Sequence, residues 1–377
     1  MVESGAMHQL NPNFSSLENS YLFQKIAAKK EASPRQDLIN LGIGDISEPL
    51  PSEAVEALQK AAIEMAQRPI GYGPANGYLF LREKLAIHSS PDEVFISDGA
   101  KRDSADLAAL FHPNTRVGIC DPVYPVYRDA NLLLGRSITY IPCLEENSFV
   151  PLPPKEHLDL IYLCSPHNPT GVAMNREELK EWVDYALEHK AIIIFDTAYA
   201  PFIISPDVPT SIYEIEGAER CAIELGSFSK GARFTGLRCA WSIIPKALGQ
   251  IHAAWARRQS IHTNGVSYPV QRAAEAVCQK IPSTNGIKEA TKELKMGLEK
   301  RGWRCFGGID APYIWAKPPT AATSWEIFDQ LLNERGIICT PGSGFGSQGE
   351  GFVRFSAFGG KETVQKALRR LEAMHAL

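Results

Sequence analysis

Six short runs of almost continuous apolar residues lie between residues 94 and 244, and each is followed by polar residues. The runs are Val94–Ser97, Arg116–Cys120, Leu160–Cys164, Ala191–Phe195, Cys221–Leu225 and Ala240–Ile244. A strand that is apolar on both sides is typical of a sheet that is covered on both faces, as parallel sheets are. This feature restricts the chain to an α/β fold with strands and helices in alternation, right-handed crossovers and a mainly parallel sheet.

A helix is predicted between the third and fourth of these runs. Asn175 with Glu178 three residues later is the pattern of a capping box at a helix start. The residues that follow form one apolar stripe at helical spacing, made of Leu179, Trp182, Val183, Ala186 and Leu187. The alternation of strand and helix therefore continues through the middle of the chain.

The last third of the chain has a different pattern, which predicts a smaller α+β domain. The predicted helices are 286–301, Ser324–Glu334 and Lys361–Met374, and the predicted strands are Tyr313–Ala316 and Phe352–Ser356. We expect a large cofactor-binding domain over 49–265 and a small domain over 266–377. Residues 7–48 are expected to form an N-terminal arm and part of the small domain, and residues 1–6 to be a vector-derived leader outside the fold.

Composition excludes several classes of protein. The chain has 377 residues, a formal net charge of −4 and a pI near 6.2, without a basic patch, so nucleic acid is not an expected partner. No apolar run approaches the roughly 20 residues of a membrane helix, and there is no signal-peptide pattern. Eight cysteines without Cys-x-x-Cys pairs indicate reduced thiols, no metal site and a cytoplasmic location.

Lys230 lies in the segment Ser227-Phe-Ser-Lys230, directly after an apolar run, with Arg238 eight residues further on. A lysine on a polar loop beyond a buried strand can form a Schiff base with the aldehyde of pyridoxal phosphate (PLP). Ser227 and Ser229 offer hydroxyls to a phosphate, and Arg238 offers a two-pronged cation. The segment alone could also be an ordinary surface loop.

Other polar residues collect where the predicted strands end, which is where open α/β sheets bind ligands. The segment Asp98-Gly-Ala-Lys101 opens a helix whose N–H groups could hold a phosphate. Asp196 follows a strand and could keep a pyridine nitrogen protonated. Arg354 lies in a strand beside glycine-rich turns and suits a carboxylate.

Three further residues belong to this group: Tyr124 could stack on a ring, Asn168 lies in a fixed Asn-Pro-Thr-Gly turn, and Tyr199 follows Asp196 by three residues.

Each of these residues also has a structural interpretation that stays open at this point. Asp196 could cap a turn, Asn168 could be a turn residue, and the two tyrosines could be aromatics at the edge of the core. Arg354 could be an exposed cation on an edge strand. His167 is given no role, since a single histidine in a proline-rich turn is more often structural. The glycine loops 42–44 and 342–346 lack the strand–turn–helix spacing of a dinucleotide site, so NAD is rejected.

Taken together, the set resembles the fold-type I PLP aminotransferases, and within them the LL-diaminopimelate aminotransferase family. The matching motifs are Asn11-Pro-Asn13, Tyr21-Leu-Phe23, Leu41-Gly-Ile-Gly-Asp45, Glu48-Pro49, Gly71-Tyr-Gly73, Ser97-Asp-Gly-Ala-Lys101, Asn168-Pro-Thr-Gly171, Phe234-Thr-Gly-Leu-Arg238, Asn264-Gly265 and Gly351-Phe-Val-Arg354. The resemblance covers the chain from about Asn11. It implies a large domain with a mainly parallel, seven-stranded sheet of this fold type and a smaller α+β domain.

The resemblance also implies roles for individual residues. Catalytic roles fall to Lys230, Asp196 and Tyr124. The implied cofactor-binding residues are Ala100, Lys101, Tyr124, Asn168, Asp196, Tyr199, Ser227, Lys230, Arg238 and, from the second subunit of a homodimer, Tyr72. The implied substrate-binding residues are Tyr21, Gly44, Lys101, Tyr124, Asn168, Asn264 and Arg354.

The implied activity is amino-group exchange between LL-2,6-diaminopimelate and 2-oxoglutarate, which yields tetrahydrodipicolinate and glutamate for lysine and peptidoglycan precursors. The alternatives are an aminotransferase for aspartate or an aromatic amino acid, and a PLP-dependent β/γ-lyase. A binding protein without catalysis is disfavoured because Lys230 is intact. The sequence departs from the family at Ala75, where an acidic residue is usual, and at His167, where asparagine is usual. It is also shorter near 86–88, 248–250 and 288–291.

Overall fold

Short strands account for most of the predicted apolar runs in the computed structural model, which describes residues 10–17, 21–278 and 282–372. The strands are β1 (Ile39–Asn40), β2 (Val94–Ser97), β3 (Val117–Asp121), β4 (Ile138–Pro142), β5 (Leu160–Cys164), β6 (Ile192–Asp196), β7 (Ala222–Ser227), β8 (Ala240–Ile243), β9 (Arg304–Gly307), β10 (Tyr313–Lys317), β11 (Ile337–Ile338), β12 (Thr340–Pro341) and β13 (Val353–Ser356). The leader predicted over 1–6 lies outside the described residues.

The helices separate these strands along the chain. They are α1 (Leu22–Ala32), α2 (Ser52–Gln67), α3 (Leu79–Leu85), α4 (Ala100–Ala108), α5 (Pro125–Leu133), α6 (Arg176–His189), α7 (Phe228–Gly231), α8 (Gln250–His262), α9 (Tyr268–Cys278), α10 (Asn285–Glu299), α11 (Ser324–Gln330) and α12 (Gly360–Glu372).

Seven strands form the main sheet in the order β2-β8-β7-β6-β5-β3-β4. The strands from β7 to β4 pair in parallel, whereas β8 is antiparallel to both of its neighbours. The prediction of a mainly parallel, seven-stranded α/β sheet is therefore confirmed. Strand β4 had no predicted counterpart because it lies at the edge of the sheet and most of its residues are exposed, so it lacks a continuous apolar run.

The predicted capping box is present at the start of α6. The Glu178 N–H donates to Asn175 Oδ1 over 3.0 Å, and the Asn175 N–H donates to Glu178 Oε2 over 2.8 Å. The apolar stripe of this helix is buried, with Leu179, Trp182 and Val183 inaccessible to solvent. Burial of the stripe fixes the helix against the sheet.

A second, antiparallel sheet has the order β12-β13-β10-β9, and α10 and α12 pack against each other beside it. The smaller α+β unit is thus confirmed. The N-terminal segment joins this unit, because Ile39 in β1 pairs in parallel with Ile337 in β11. The helix predicted over Ser324–Glu334 is α-helical only to Gln330 and continues as a π-helical turn over Leu331–Arg335. The predicted end of the last helix at Met374 lies outside the described residues.

The domain boundaries stay a prediction. Helix α9, which follows the proposed boundary at 265, packs against α2, and Val277 belongs to a buried cluster with Leu81, Ile96 and Phe228. All eight cysteines are free, as predicted. In the described part of the chain, no helix combines the length and the apolar character needed to cross a membrane.

Candidate active site

The reversed direction of β8 brings three separate sequence motifs together. Ser97 at the end of β2 and Ser227 at the end of β7 both pair with Ala240, the first residue of β8. Because β8 runs antiparallel to both neighbours, its beginning lies at the edge where they end. The helix that starts after Gly99, the segment of Lys230 and the loop that carries Arg238 therefore meet at one edge of the sheet.

These elements form a site with the character of a phosphate cradle. A Cβ atom on Gly99 would lie 2.5 Å from Arg238 Nη2, so the glycine allows the guanidinium to lie across the start of α4. Arg238 Nη1 lies 3.3 Å from Ser229 Oγ, and Ser227 Oγ accepts from the Ser229 N–H over 3.1 Å. Arg238 has a φ of 62°, a conformation that costs a non-glycine residue energy and is often found at functional sites. A helix N-terminus, two hydroxyls and a guanidinium together suit a phosphate.

Lys230 lies in the short helix α7 that follows β7 directly. Its Nζ donates to the carbonyl oxygen of Gly44 and lies 5.5 Å from the ring centroid of Phe358. Burial lowers the pKa of Lys230 to about 8, against the attraction of the Asp45 carboxylate, which raises it. About a tenth of this amine is therefore neutral at pH 7, far more than for an exposed lysine, and the neutral form is the one that attacks an aldehyde.

Asp196 lies at the end of β6 and is 8% exposed. The Tyr127 hydroxyl donates to Oδ2 over 2.7 Å, and the Ala198 N–H donates to Oδ1 over 2.9 Å. Burial raises the pKa of Asp196, and these two donors oppose the increase. A carboxylate in this setting suits a protonated ring nitrogen, whereas turn capping alone would not require its burial inside a cavity.

Arg354 is only 1% exposed, so the interpretation as an exposed edge cation is wrong. Its Nη1 donates to Asn168 Oδ1 over 2.6 Å and its Nη2 to the Gly42 carbonyl oxygen over 2.7 Å. Among the described residues, the Nε atom has no hydrogen-bond partner and no carboxylate pairs with the guanidinium. A buried, unpaired cation is costly unless a ligand supplies the negative charge, which indicates a carboxylate-binding site.

Three more predicted residues stand around the same cavity. Because the Asn168 carbonyl faces Arg354, the amide nitrogen of Asn168 remains a donor for a ligand. The Tyr199 and Tyr313 hydroxyls lie 2.8 Å apart, and the two rings pack edge to face. Burial raises the pKa of Tyr124 and of Tyr199 well above the ordinary value, so both phenols stay protonated donors.

The cavity has a volume of about 370 Å³. The sequence-predicted residues that line it are Gly44, Ala100, Lys101, Tyr124, Asn168, Asp196, Tyr199, Ser227, Lys230, Arg238 and Arg354. Tyr21 lies next to it, with Lys101 Nζ 5.1 Å from its ring centroid and its hydroxyl buried without a partner among the described residues. Tyr72 is 88% exposed and Asn264 is exposed, so a single chain does not bring either of them to the cavity.

Sequence reasoning assigned no role to several residues that line the cavity, among them Phe23, Asp45, Tyr127 and Tyr313. The signal for Tyr127 was its position three residues after Tyr124 at the start of a helix, which places both on neighbouring positions of one helical surface. Nothing in the sequence signals Tyr313, whose partner Tyr199 is 114 residues away.

His167, which was given no role, is buried inside its turn. Its Nδ1 lies 2.8 Å from Thr170 Oγ1, and burial lowers the pKa of His167 to about 4. The neutral ring therefore stabilises the turn that holds Asn168.

Comparison with known proteins agrees with this geometry. The profile of the family described as Aminotransferase class I and II matches residues 36–371. The chain is 45% identical to an LL-diaminopimelate aminotransferase of Agathobacter rectalis, over 98% of this chain and 100% of the relative. The chain belongs to the class I and II aminotransferases, and within them to the LL-diaminopimelate aminotransferase family.

Other members support the assignment. The LL-diaminopimelate aminotransferase of Bacteroides fragilis is 44% identical over 407 aligned positions that cover 97% of this chain and 99% of the relative. That alignment is 30 positions longer than this chain of 377 residues, so the relative has insertions where this chain has none. The structure of L,L-diaminopimelate aminotransferase from Chlamydomonas reinhardtii superimposes with a TM-score of 0.92 at 40% identity, over 98% of this chain and 99% of that one.

Class I and II aminotransferases use PLP, and the cavity fits this cofactor. The cradle around Gly99 suits the phosphate, the neutral amine of Lys230 suits the aldehyde, and the carboxylate of Asp196 suits the ring nitrogen. The donor set of this aminotransferase thus matches each charged or reactive group of the cofactor.

Proposed function

We propose that this aminotransferase moves an amino group between LL-2,6-diaminopimelate and 2-oxoglutarate. The ketone product would cyclise to tetrahydrodipicolinate, a precursor of lysine and peptidoglycan. The main evidence that the substrate carries a carboxylate is the buried guanidinium of Arg354, which no carboxylate of the described residues neutralises. Relatives at 44–45% identity that share this specificity by name support the choice of substrate.

The charges of the cavity match those of the proposed substrates. Arg354 would take the α-carboxylate that the amino donor and the oxo acid share. Lys101 lines the cavity and would take the distal carboxylate, beside the buried Tyr21 hydroxyl that has no partner among the described residues. Gly44 and Asn168 would orient the reacting end of the substrate, since Gly44 holds Lys230 and Asn168 holds Arg354.

PLP, when bound, supplies an aldehyde that captures amino groups and a ring that withdraws electrons from the attached carbon. Lys230 would move the proton at the substrate Cα atom, because its pKa of about 8 lets the amine both accept and release a proton near neutral pH. Asp196 would hold the proton on the ring nitrogen. Tyr124 would hold the ring in place, and Tyr199 with Asn168 would donate to the ring oxygen.

The second ammonium group of diaminopimelate needs a negative partner in this family member. Ala75 cannot supply it. Two carboxylates line the cavity, and Asp196 is the one proposed to hold the ring nitrogen of the cofactor. Asp45 is exposed to the cavity and is the carboxylate that remains for the ammonium.

We further propose that the active unit is a cytoplasmic homodimer in which Tyr72 and Asn264 of a second copy complete the site. Both side chains are exposed on the isolated chain, and an exposed tyrosine ring is a typical interface residue. Mixing inactive Lys230→Ala chains with Tyr72→Phe chains should restore activity in the hybrid, because one of its two sites then has both intact side chains. A fully active monomer in light scattering would contradict this proposal.

Profiling of amino donors with the purified, PLP-loaded protein tests the main proposal. LL-diaminopimelate should react with 2-oxoglutarate and produce glutamate, and Lys230→Ala should abolish the reaction. If aspartate or an aromatic amino acid were a far better donor, the protein would be an aminotransferase of that other specificity. The neutral side chain of Ala75 would agree with that result. Release of ammonia or a thiol without an oxo-acid acceptor would indicate a lyase.

A further inference from the structure

The hydroxyl of Tyr127 is the one side-chain donor that contacts Asp196 in the described residues, and no cofactor or substrate role has been assigned to it. The bond to Asp196 Oδ2 is 2.7 Å long, and both side chains are buried. Tyr127 occupies the first turn of α5, just after Tyr124, whose ring packs edge-on against it with 5.8 Å between centroids.

The position of the Tyr127 ring is fixed by its neighbours. The ring stacks on that of Tyr162 in β5, with centroids 5.2 Å apart and 22° between the planes. Asn131 Nδ2 also donates to the Tyr127 carbonyl oxygen over 2.8 Å. A phenol that is stacked and anchored in this way cannot turn its hydroxyl away from Asp196 without breaking these contacts.

The electrostatic effect of this bond has a definite direction. Burial raises the pKa of Asp196, and the Tyr127 hydroxyl is the strongest of the contacts that lower it. Burial also raises the pKa of Tyr127 well above its ordinary value, so the phenol remains a donor near neutral pH. Each carboxylate oxygen has two lone pairs, so these bonds leave room for a ring N–H.

We infer that Tyr127 is a positioning residue that keeps Asp196 ionised and correctly oriented, and thereby keeps the ring nitrogen of the bound cofactor protonated. This inference rests on the proposed function of Asp196 within the site. Without the phenol, the proton shared between the ring nitrogen and Asp196 would move toward the carboxylate. The neutral ring would then withdraw electrons less effectively from the substrate Cα atom.

The variant Tyr127→Phe tests the inference, because it keeps the ring and its stacking and removes the donor. We expect the variant to bind PLP and to retain its KM, while kcat falls roughly 10- to 150-fold, the range that corresponds to one hydrogen bond to a charged group. The matched control is Tyr162→Phe, which loses a phenol in the same stack that does not contact Asp196. Its kcat should change less than about twofold, as for changes away from functional contacts.

A readout other than activity is the ¹⁵N chemical shift of the ring nitrogen in protein loaded with ¹⁵N-labelled PLP. We expect a protonated nitrogen in the wild type and in Tyr162→Phe, and a partly deprotonated nitrogen in Tyr127→Phe. An unchanged shift in a folded Tyr127→Phe protein would overturn the inference. A nitrogen that stays protonated in Asp196→Asn would instead overturn the role of Asp196, and failure of LL-diaminopimelate as donor affects neither nitrogen measurement.

If Tyr127→Phe does not fold, 3-fluorotyrosine at position 127 supplies the test. Fluorination makes the phenol a stronger donor at nearly the same volume and favours the ionised carboxylate, so the ring ¹⁵N shift at neutral pH should move toward the fully protonated value. A displacement toward the deprotonated value, or none, would contradict the inference.

Discussion

Replacing Arg354 by lysine keeps the charge of the proposed carboxylate site and removes its planar fork. In the wild type, the guanidinium uses one N–H for Asn168 Oδ1 and one for the Gly42 carbonyl, and its Nε remains without a partner among the described residues. In the described residues the second N–H of each Nη makes no short bond, since Nη2 reaches Thr340 Oγ1 only at 3.4 Å, so a carboxylate can accept two parallel bonds from the two Nη atoms. A lysine ammonium has three donors, and two of them would be needed to replace the bonds to Asn168 and Gly42.

The size of the effect follows from this count of donors. Arg354→Lys would lose one of the two bonds to the substrate carboxylate, and a hydrogen bond to a charged group contributes about 1.5–3 kcal/mol. Since about 1.4 kcal/mol corresponds to a factor of ten, kcat/KM should fall roughly 10- to 150-fold. The factor should be equal for the amino donor and for 2-oxoglutarate, because both carry the α-carboxylate.

Single-turnover measurements of each half-reaction provide the assay, since the absorbance of the bound cofactor changes when the amino group is transferred. The matched control is Arg304→Lys in strand β9 of the same small sheet, whose side chain is 60% exposed and pairs with Glu145. The control should stay within about twofold of the wild type. A loss confined to one of the two half-reactions, or no loss in Arg354→Lys, would refute the assignment of Arg354 to the α-carboxylate.

Three further predictions follow from charges in and near the cavity. The rate at which PLP attaches to the cofactor-free protein should rise with pH, with a midpoint near 8, because burial lowers the pKa of Lys230 to about 8 and the neutral amine is the form that attacks. Stopped-flow absorbance measures this rate. A midpoint near 10 would argue against a buried amine. Burial raises the pKa of Asp103 to about 8, so the folded protein binds a proton there that the unfolded chain releases near pH 4, and wild-type stability is lost as the pH rises between these values. Urea unfolding should therefore show that Asp103→Asn gains stability over the wild type by about 1.4 kcal/mol per pH unit across that window, up to a limit of about 6 kcal/mol, whereas a constant difference would contradict the protonated carboxyl. Asp45→Asn should lower kcat/KM for LL-diaminopimelate roughly tenfold or more beyond its effect on glutamate, which reports the change in the pKa of Lys230. Ala75→Glu should restore part of that loss, and Glu48→Gln, which alters the neighbouring acid paired with Arg233, serves as the control. Equal losses for both donors would exclude Asp45 as the partner of the second ammonium.

Much of the main sheet could be predicted because strands covered on both faces must be apolar throughout. Strands β2, β5 and β8 lie within one residue of their predicted bounds, and the capping box of α6 begins at the expected asparagine. Edge strand β4 escaped prediction because its exposed positions tolerate polar residues. The direction of β8 could not be predicted either, since an apolar run has the same composition in a parallel and in an antiparallel strand.

The residues of the candidate cofactor site could be predicted from the sequence because most of them lie at a strand end or within a few positions of one. Lys230, Asp196 and Asn168 all line the cavity, as their positions after strands predicted. Local chemistry is sufficient here, because the carboxyl ends of parallel strands share one edge of the sheet regardless of what packs around them.

Tertiary structure alone decided the environment of these residues. The burial of Arg354 and its lack of a carboxylate partner among the described residues depend on contacts between the two sheets, such as the bond from Arg354 in β13 to Asn168 after β5. The bond from Tyr127 to Asp196 joins residues 69 positions apart, and the shift of the Lys230 pKa arises from the elements that bury it. The residue types and their order determined which chemical groups this protein can use. How strongly these groups hold a proton or a charge depends on the burial of each group and on the distances between groups. Burial and distance are set only when the chain packs into its tertiary structure.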